Sequence, residues 1–281
     1  MLSETWIEEL ADDFRAMGVE GRHVMPHSSF RVLRPVENGP AGVVEAMVQA
    51  VGMGVLVIPT FDFESFSERG YWNRQESPSR MGAISEAART DSRFVRSSHP
   101  MLSFAVRDPD HGIIRETYPL GRIGPLRSSG VSPYLEEGQY GYFTPVNAHG
   151  AGSVFDRFIQ NDGLLLSFSG EGFRPGGVDV GFTLSVHSAV IAEVDWRYTK
   201  VFEGTYIDNG IASIRKYSAS VCRRDRFVTE VTPAHEAAER EGVITRHKLG
   251  RAECLRAEAL TFHEWAVESH RKSPELWRRE L

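Results

Sequence analysis

The sequence predicts an α/β fold with a mixed central sheet, in which a parallel βαβ unit near the N-terminus is extended by antiparallel strands. Three observations support this prediction. Short apolar runs, at residues 55–58 and 164–166, are typical of strands buried on both faces, and the second of these strands is expected to extend to residue 168. Segments with apolar residues at helical spacing alternate with these runs. Asp208-Asn209-Gly210, within residues 197–226, is typical of the turn of an antiparallel hairpin.

The parallel unit is predicted in the first part of the chain. Residues 23–26 indicate a short strand, residues 39–54 a helix that begins at Gly39-Pro40, and residues 55–58 a buried strand. This succession implies parallel pairing with a right-handed crossover. Because parallel strands end at the same edge of a sheet, residues 27–29 and 59–62 should lie side by side, where open α/β sheets bind ligands.

The other predicted elements complete the fold. Helices are expected at residues 4–17, 79–89, 232–242, 251–270 and after residues 182–186, and a strand at residues 102–106. Thr232 is expected to cap its helix. Residues 108–153, rich in Gly, Pro, Ser and Tyr, are interpreted as loops and hairpins over the site. We expect a single domain spanning residues 1–281, with two packed lobes of about 1–106 and 107–281 as the alternative.

Composition and charge narrow the functional classes. The chain of 281 residues is 41% hydrophobic and 25% charged, which is ordinary for a protein with a buried core. Its apolar runs are too short to span a bilayer and its N-terminus does not resemble a signal peptide, so a cytoplasmic location is expected. A formal net charge of −6 argues against nucleic acid as a partner. The spacing of the two cysteines indicates unpaired thiols.

His187 is the candidate catalytic residue. It follows a buried strand and a Gly-rich loop, so its ring should lie inside or beside the ligand crevice. Imidazole is well suited to accept a proton near neutral pH, and an ammonium group attacks a carbonyl only after losing a proton. A carboxylate would orient the ring and stabilise its charged form, and the candidates are Glu171, Asp179, Glu193 and Asp195. Taken alone, His187 fits a buried structural histidine better than a catalytic one.

Two polar segments could bind an extended ligand that carries amides and phosphates. His27-Ser28-Ser29 offers hydroxyl groups and backbone amides at the end of a predicted strand. Arg96-Ser97-Ser98-His99-Pro100 offers a cation, hydroxyl groups and an imidazole. Arg80 and Arg96 could meet phosphate. Each segment alone also fits an ordinary polar turn, and each arginine a solvated surface residue.

The order and spacing of several motifs resemble the aminoglycoside 3-N-acetyltransferase family. The resemblance runs from about Pro26 to Trp277. Its motifs are His27-Ser28-Ser29-Phe30-Arg31, Gly39-Pro40, Val57-Ile58-Pro59-Thr60-Phe61, Ser77-Pro78-Ser79-Arg80-Met81-Gly82, Ser85-Glu86, Arg89, Arg96-Ser97-Ser98-His99-Pro100, Ser103, Asp162-Gly163-Leu164-Leu165-Leu166, His187 and Arg197-Tyr198. Each motif is common by itself, and their shared order over most of the chain carries the resemblance.

The resemblance implies acetyl-CoA bound in a cleft of an α/β fold and direct transfer of the acetyl group to an amine, without a metal. The fold differs from that of the Gcn5-related acetyltransferases, whose R/Q-x-x-G-x-G/A loop is absent here. His187 matches the family's catalytic histidine. By position, the coenzyme-side residues are Ser28, Ser29, Phe30, Arg31, Ser98, His99 and Ser103. The expected protein is a monomer or homodimer that acts on a small amine, away from membranes and nucleic acid.

The chain departs from the family pattern around the histidine. The family's T-x-x-H-x-x-[ED] has Leu184 and Val190 here at the hydroxyl and carboxylate positions. Residues 107–150 match poorly, and the family's acceptor pocket draws on that region. The resemblance therefore implies the fold and the acetyl donor more firmly than it implies the acceptor.

The function predicted from these observations is acetyl transfer to an amino group of an aminoglycoside, of the 3-N type. An amino-sugar nucleotide or a biosynthetic amine is the alternative acceptor. A coenzyme A-binding homologue without transfer activity is a second alternative. The third is a serine hydrolase that uses Ser28 or Ser29 with His187.

Overall fold

The computed structural model of the chain describes residues 5–62, 64–109, 143–147, 153–161, 163–170, 179–191, 197–222 and 227–280. The helices are α1 (Ile7–Ala16), α2 (Phe30–Leu33), α3 (Gly39–Val51), α4 (Ser65–Arg69), α5 (Ala83–Thr90), α6 (Val154–Gln160), α7 (Gly181–Ile191), α8 (Thr232–Arg240) and α9 (Ala259–Lys272), with a 3-10 turn at Pro274–Leu276. The strands are β1 (His23–Ser28), β2 (Val55–Pro59), β3 (Tyr71–Asn73), β4 (Val95–Arg96), β5 (Phe104–Arg107), β6 (Phe143–Asn147), β7 (Leu164–Phe168), β8 (Arg197–Asp208), β9 (Ile211–Cys222), β10 (Phe227–Thr229), β11 (Thr245–Leu249), β12 (Ala252–Glu258) and β13 (Arg278–Glu280).

The main sheet is mixed, as predicted. Seven strands lie in the order β11-β12-β7-β1-β2-β5-β4. The three central strands β7, β1 and β2 run parallel. On either side β12 pairs antiparallel with β7 and β5 with β2, and the edge strands β11 and β4 pair antiparallel with β12 and β5. The predicted βαβ unit is therefore confirmed as β1, α3 and β2. It supplies two of the three parallel strands at the centre of the sheet.

Side chains that alternate along the strands divide the core between the two faces of the sheet. On one face Leu164 and Leu166 pack with α1, α3 and α5, while on the other Leu165 packs with residues of α6, α7, α8 and α9. All five residues of β7 are buried. A central sheet covered by helices on both faces explains why its strands read as continuous apolar runs in the sequence.

A second sheet has the order β3-β8-β9-β6. Its longest pair, β8 with β9, is antiparallel and turns at Asn209 and Gly210, which both have positive φ, as this tight hairpin turn requires. The predicted hairpin is thus confirmed. A small aromatic cluster, which includes Trp72, Tyr206 and Tyr217, packs against one face of this sheet.

Two predictions about the C-terminal region are wrong. Residues 252–258 form strand β12 rather than the start of a helix, because they pair on one side with β11 and on the other with β7. Thr232 is the first helical residue of α8 and Val231 precedes it, without a side-chain cap.

Strands from residues 23–107 and 164–258 share the main sheet, and the domain division stays a prediction. Within the part of the chain described, no helix is long and apolar enough to span a bilayer.

Candidate functional site

The predicted ligand edge is formed by the ends of the three parallel strands. Ser28, Pro59 and Phe168 end β1, β2 and β7 at the same side of the sheet, and Ser28 pairs directly with Phe168. The antiparallel strand β5 begins at this edge, where Phe104 pairs with Pro59. The segments 27–31, 59–62 and 97–103 therefore meet at the edge where α/β sheets bind ligands.

Arg96 holds this edge together. Its guanidinium is buried and donates hydrogen bonds to the carbonyl oxygens of Thr60, at 3.0 Å, and of Ser77, and to the Oγ of Ser103, at 3.0 Å. The guanidinium also lies over the ring of Trp72, 4.7 Å from its centroid. Burial lowers the pKa of Arg96 to about 10. The guanidinium of Arg96, which could have met a phosphate group, instead bonds to groups within the protein.

The predicted coenzyme-side residues lie at the edge at different depths. Ser28, Ser29, Phe30 and Ser98 are half-buried and Arg31 is exposed. His99 is buried, and its Nδ1 accepts a hydrogen bond from the backbone N–H of Leu102 at 3.1 Å. Ser103 is completely buried, and its hydroxyl donates to the carbonyl of Thr60 at 2.9 Å. Half-buried residues are better placed for a ligand than Ser103, and the contacts themselves stay predictions.

Arg80 lies beside acidic side chains. Its guanidinium is 3.9 Å from the buried carboxylate of Asp62 and 3.6 Å from Glu64. Because Asp62 follows the end of β2, this arginine lies at the same edge as the other predicted residues. With a side chain 43% exposed, Arg80 remains accessible to a phosphate group.

A polar cluster joins the beginning of α7 to the ends of β1 and β7. The Oδ1 of Asp179 accepts a hydrogen bond from Ser167 at 2.6 Å, and its Oδ2 accepts one from the backbone N–H of Ser169 at 2.8 Å. The Nε2 of His27 lies 2.7 Å from the Oγ of Ser185. Desolvation lowers the pKa of His27 to about 4, although the negative charge of Asp179 opposes this shift. These contacts place the first turns of α7 against the ligand edge.

His187 lies deeper on α7 and is only 1% exposed. Its Nδ1 is 3.0 Å from the Nε2 of His270, which belongs to α9. Trp277 stacks on both rings, with centroid distances of 5.4 Å to His187 and 4.0 Å to His270. The Nδ1 of His270 lies 2.7 Å from the carbonyl oxygen of Ala266, one turn earlier. The ring of His187 is thus held by the imidazole of His270 and the indole of Trp277.

Of the four carboxylates expected as partners of His187, the structure describes one, Asp179. Glu171, Glu193 and Asp195 lie outside the described residues. Asp179 contacts serine hydroxyls and backbone amides at the start of α7. At the position of the family's carboxylate, Val190 is completely buried. The role of His187 in catalysis therefore stays a prediction.

Sequence reasoning missed His270 as a partner of His187. A weak signal is present, because Phe262, Ala266 and His270 follow one another at intervals of four and lie on the buried face of α9. A histidine on an otherwise apolar helix face needs a buried polar partner. The identity of that partner depends on how α7 and α9 pack, and no local pattern contains this information.

The first part of the chain matches a family model. Residues 25–127 match the model described as Aminoglycoside 3-N-acetyltransferase. The aminoglycoside N(3)-acetyltransferase IV of a Salmonella species is 33% identical over 117 residues, which are 40% of this chain and 43% of that relative. The predicted resemblance to the family is therefore confirmed. The matched segment includes the motifs from His27 to Ser103, whereas His187 lies outside it.

Solved structures of similar fold cover nearly the whole chain. AAC-IIIb in a binary complex with CoASH has a TM-score of 0.71 at 16% identity, and the alignment covers 96% of this chain and 97% of that one. A mutant of aminoglycoside acetyltransferase AAC(3)-IVa in complex with apramycin has a TM-score of 0.68 at 21% identity, covering 98% and 96%. The YokD protein from Bacillus subtilis has a TM-score of 0.72 at 17% identity, covering 98% and 96%. At these identities the likeness establishes the fold.

Proposed function

We propose that this chain, whose residues 25–127 match the aminoglycoside 3-N-acetyltransferase family, is an acetyl-CoA-dependent N-acetyltransferase that acts on an amino group of an aminoglycoside. The observation that carries the proposal is the meeting of residues 27–31, 59–62 and 97–103 at one sheet edge. The named relative is an aminoglycoside N(3)-acetyltransferase, and a structurally similar protein binds CoASH.

The edge has the groups that a coenzyme A molecule needs. Ser28, Ser29 and Ser98 present hydroxyl groups on half-buried residues, and the loop after β1 adds backbone amides. Arg31 and Arg80 supply positive charge for phosphate groups near the protein surface. When bound, acetyl-CoA supplies an acetyl group already activated as a thioester.

His187 serves as the general base in this proposal. Its imidazole accepts a proton from the acceptor amine as the nitrogen attacks the acetyl carbonyl and the new C–N bond forms. The C–S bond then breaks with its electron pair on sulfur, and the imidazolium returns the proton to the leaving thiolate. Hydroxyl and backbone N–H groups at the edge stabilise the negative charge that develops on the carbonyl oxygen. The reaction produces an acetamide and free coenzyme A. The proposal places this reaction in the cytoplasm.

Replacement of His187 tests the mechanism. His187→Ala should lower kcat by roughly 10²-fold or more, because general-base catalysis typically contributes this factor, while acetyl-CoA binding stays unchanged. Thiol release from acetyl-CoA in the presence of gentamicin-like aminoglycosides measures kcat, and calorimetry measures binding. An unchanged kcat would remove His187 from the mechanism.

The acceptor is tested in cells. Expression of an aminoglycoside acetyltransferase should raise the drug concentration that bacteria tolerate, and the His187→Ala variant should abolish the protection. If purified protein releases thiol only with amino-sugar nucleotides or small biosynthetic amines, and tolerance is unchanged, the acceptor belongs to that class instead.

A second candidate function is coenzyme A binding without transfer. Two observations favour it: His187 is 1% exposed, and Val190 is completely buried where the family carries a carboxylate. A binder of this kind would be stabilised against heat by coenzyme A, by about 2.7 kcal/mol at a ligand concentration 100 times Kd. It would release no thiol with any amine.

A further inference from the structure

The hydrogen bonds around His187 determine where its proton resides. The carbonyl oxygen of Ala266 can only accept a hydrogen bond, so the Nδ1 of His270, 2.7 Å away, carries a proton. In a neutral imidazole the second nitrogen is then an acceptor. The Nε2 of His270 therefore accepts a hydrogen bond from the Nδ1 of His187 across 3.0 Å. A neutral His187 consequently carries its lone pair on Nε2.

We propose that His270 is a positioning residue for acetyl transfer, one that orients His187 and holds its Nε2 ready to accept the proton of the acceptor amine. The proposal rests on the proposed function and adds a residue to it. His270 takes the place that a carboxylate occupies in other histidine bases, since it accepts the hydrogen bond from Nδ1. This chain has Val190 at the position where the family pattern has a carboxylate.

The surroundings also stabilise the positive charge that His187 gains when it accepts the proton. Trp277 lies parallel to the His187 ring, with an interplanar angle of 5°, and aromatic faces attract cations. The indole is itself fixed, because its Nε1 donates a hydrogen bond to the Oγ of Ser269 at 2.8 Å. His270 lies in the last turn of α9, where the helix dipole favours positive charge.

The packing fixes both rings. His187 is 1% and His270 is 5% exposed, and their ring planes are inclined by only 18°. Rotation of either ring would separate a buried nitrogen from its partner, which costs free energy. The arrangement therefore selects one tautomer of His187 before any substrate binds.

The tautomer can be measured without any enzymatic activity. In protein labelled with ¹⁵N-histidine, two-bond ¹H–¹⁵N spectra distinguish protonated from unprotonated ring nitrogens, and His187→Gln identifies the His187 signals among the 10 histidines. We expect protonated Nδ1 and unprotonated Nε2 in the wild-type chain at neutral pH. In His270→Phe, which keeps an aromatic ring beside Trp277 but lacks the acceptor, the two forms should mix. Protonated Nε2 in the wild type would overturn the proposal.

Kinetics test the consequence for transfer. His270→Phe should lower kcat by roughly 10- to 100-fold, as loss of an orienting partner does, while KM for acetyl-CoA stays unchanged. His270→Gln, whose amide oxygen can accept from Nδ1, should recover most of this loss. An unchanged kcat in the Phe variant, or equal losses in both, would refute the positioning role.

His235→Phe is the matched control. His235, like His270, is a buried histidine that contacts α7, in this case through the hydroxyl of Thr183 at 2.8 Å. We expect the kcat of the His235→Phe variant to stay near the wild-type value. A kcat in His235→Phe as low as in His270→Phe would mean that any change of a buried histidine disturbs α7, which contradicts the proposal. If His270→Phe does not fold, the wild-type tautomer and the Gln variant decide.

The two proposals fail in different ways. If the wild-type chain transfers acetyl to none of the amines, the proposed function is wrong, and the spectra still show whether His270 selects the tautomer of His187. If transfer occurs and depends on His187 but not on His270, the proposed function stands and the positioning role is wrong.

Discussion

Among single residues, His27 shows how the ligand edge couples stability to pH. Its ring lies at the end of β1, where its Nε2 is 2.7 Å from the Oγ of Ser185, and desolvation lowers its pKa to about 4 against the opposing charge of Asp179. The folded chain therefore keeps His27 neutral at pH values where the unfolded chain protonates it. The pKa of the buried His235 is lowered for the same reason.

The sign of the pH effect follows from this difference. Between the unfolded pKa of 6.5 and the folded value of about 4, the unfolded chain binds more protons, so the stability should decrease as the pH falls through this window. The contribution of His27 amounts to at most about 3 kcal/mol. His27→Gln should flatten the dependence of the unfolding free energy on pH between 7 and 4.5, as measured by urea titrations.

Ser185→Ala provides the control for this measurement. It removes the hydroxyl beside His27 without adding or removing a titrating ring, so its stability should still depend on pH as in the wild type. If the unfolding free energy of His27→Gln depends on pH as strongly as that of Ser185→Ala and of the wild type, His27 does not contribute to the pH dependence.

At the level of elements, Arg96 connects the segments that form the ligand edge. It bonds to Thr60, directly after the end of β2, and to the loop that contains Ser77, and its own backbone carbonyl accepts a hydrogen bond from Arg74 at 2.5 Å. A planar guanidinium can serve several carbonyl oxygens at once, whereas an ammonium group cannot reproduce that geometry. The edge therefore depends on the planar shape of the guanidinium of Arg96 more than on its positive charge.

Replacing Arg96 by lysine should reduce the free energy of unfolding by roughly 2–4 kcal/mol, because buried acceptors lose their donors. Urea unfolding followed by circular dichroism measures this loss. Arg93→Lys is the control: Arg93 is 39% exposed and its pairs with Glu45 and Asp91 lie at the surface, so we expect a cost below about 1 kcal/mol. Equal costs for the two variants would contradict the role given to Arg96.

The elements also show which parts of the fold the sequence can predict. The unit of β1, α3 and β2 was predicted because Gly39-Pro40 marks a helix start and β2 is a short, fully apolar run. β12 was predicted as helix because Ala252–Glu258 (AECLRAE) consists mainly of good helix formers. Its pairing with β7 and β11 overrides that preference, and the pairing is a property of the folded chain.

The sequence predicts the sheet edge of the candidate site but not the contact of His187 with His270. The polar segments at the strand ends could be placed together because parallel strands end at one edge. The contact between His187 and His270 joins residues 83 positions apart and depends on the packing of α7 on α9. Sequence patterns of single elements do not specify such packing. The sequence offers carboxylates close to His187 along the chain, whereas its partner His270 comes from another helix.

For the whole molecule, the central sheet joins two hydrophobic cores through β7. Leu166 lies in this strand, completely buried, and pairs with Pro26 on one side and Arg256 on the other. Leu166→Ala should reduce the free energy of unfolding by about 2–5 kcal/mol, because it removes buried methyl groups and leaves a cavity. If the chain is a single domain, as we propose, unfolding should remain one transition by both circular dichroism and tryptophan fluorescence.

Ile214→Ala is the comparison for this measurement. Ile214 is 60% exposed on β9, so its truncation should change the stability by no more than about 0.5 kcal/mol. Two separate transitions in the wild type or in Leu166→Ala would instead support two lobes that unfold independently.

The place of β12 in the sheet affects the order in which the chain can fold during synthesis. β7 leaves the ribosome well before β12, so a nascent chain has a mainly apolar strand with one row of amide and carbonyl groups unpaired. Such a strand can pair with a neighbouring nascent chain. Residues 255–258 pair with this row in the finished protein, and they do so only after most of the chain has been made.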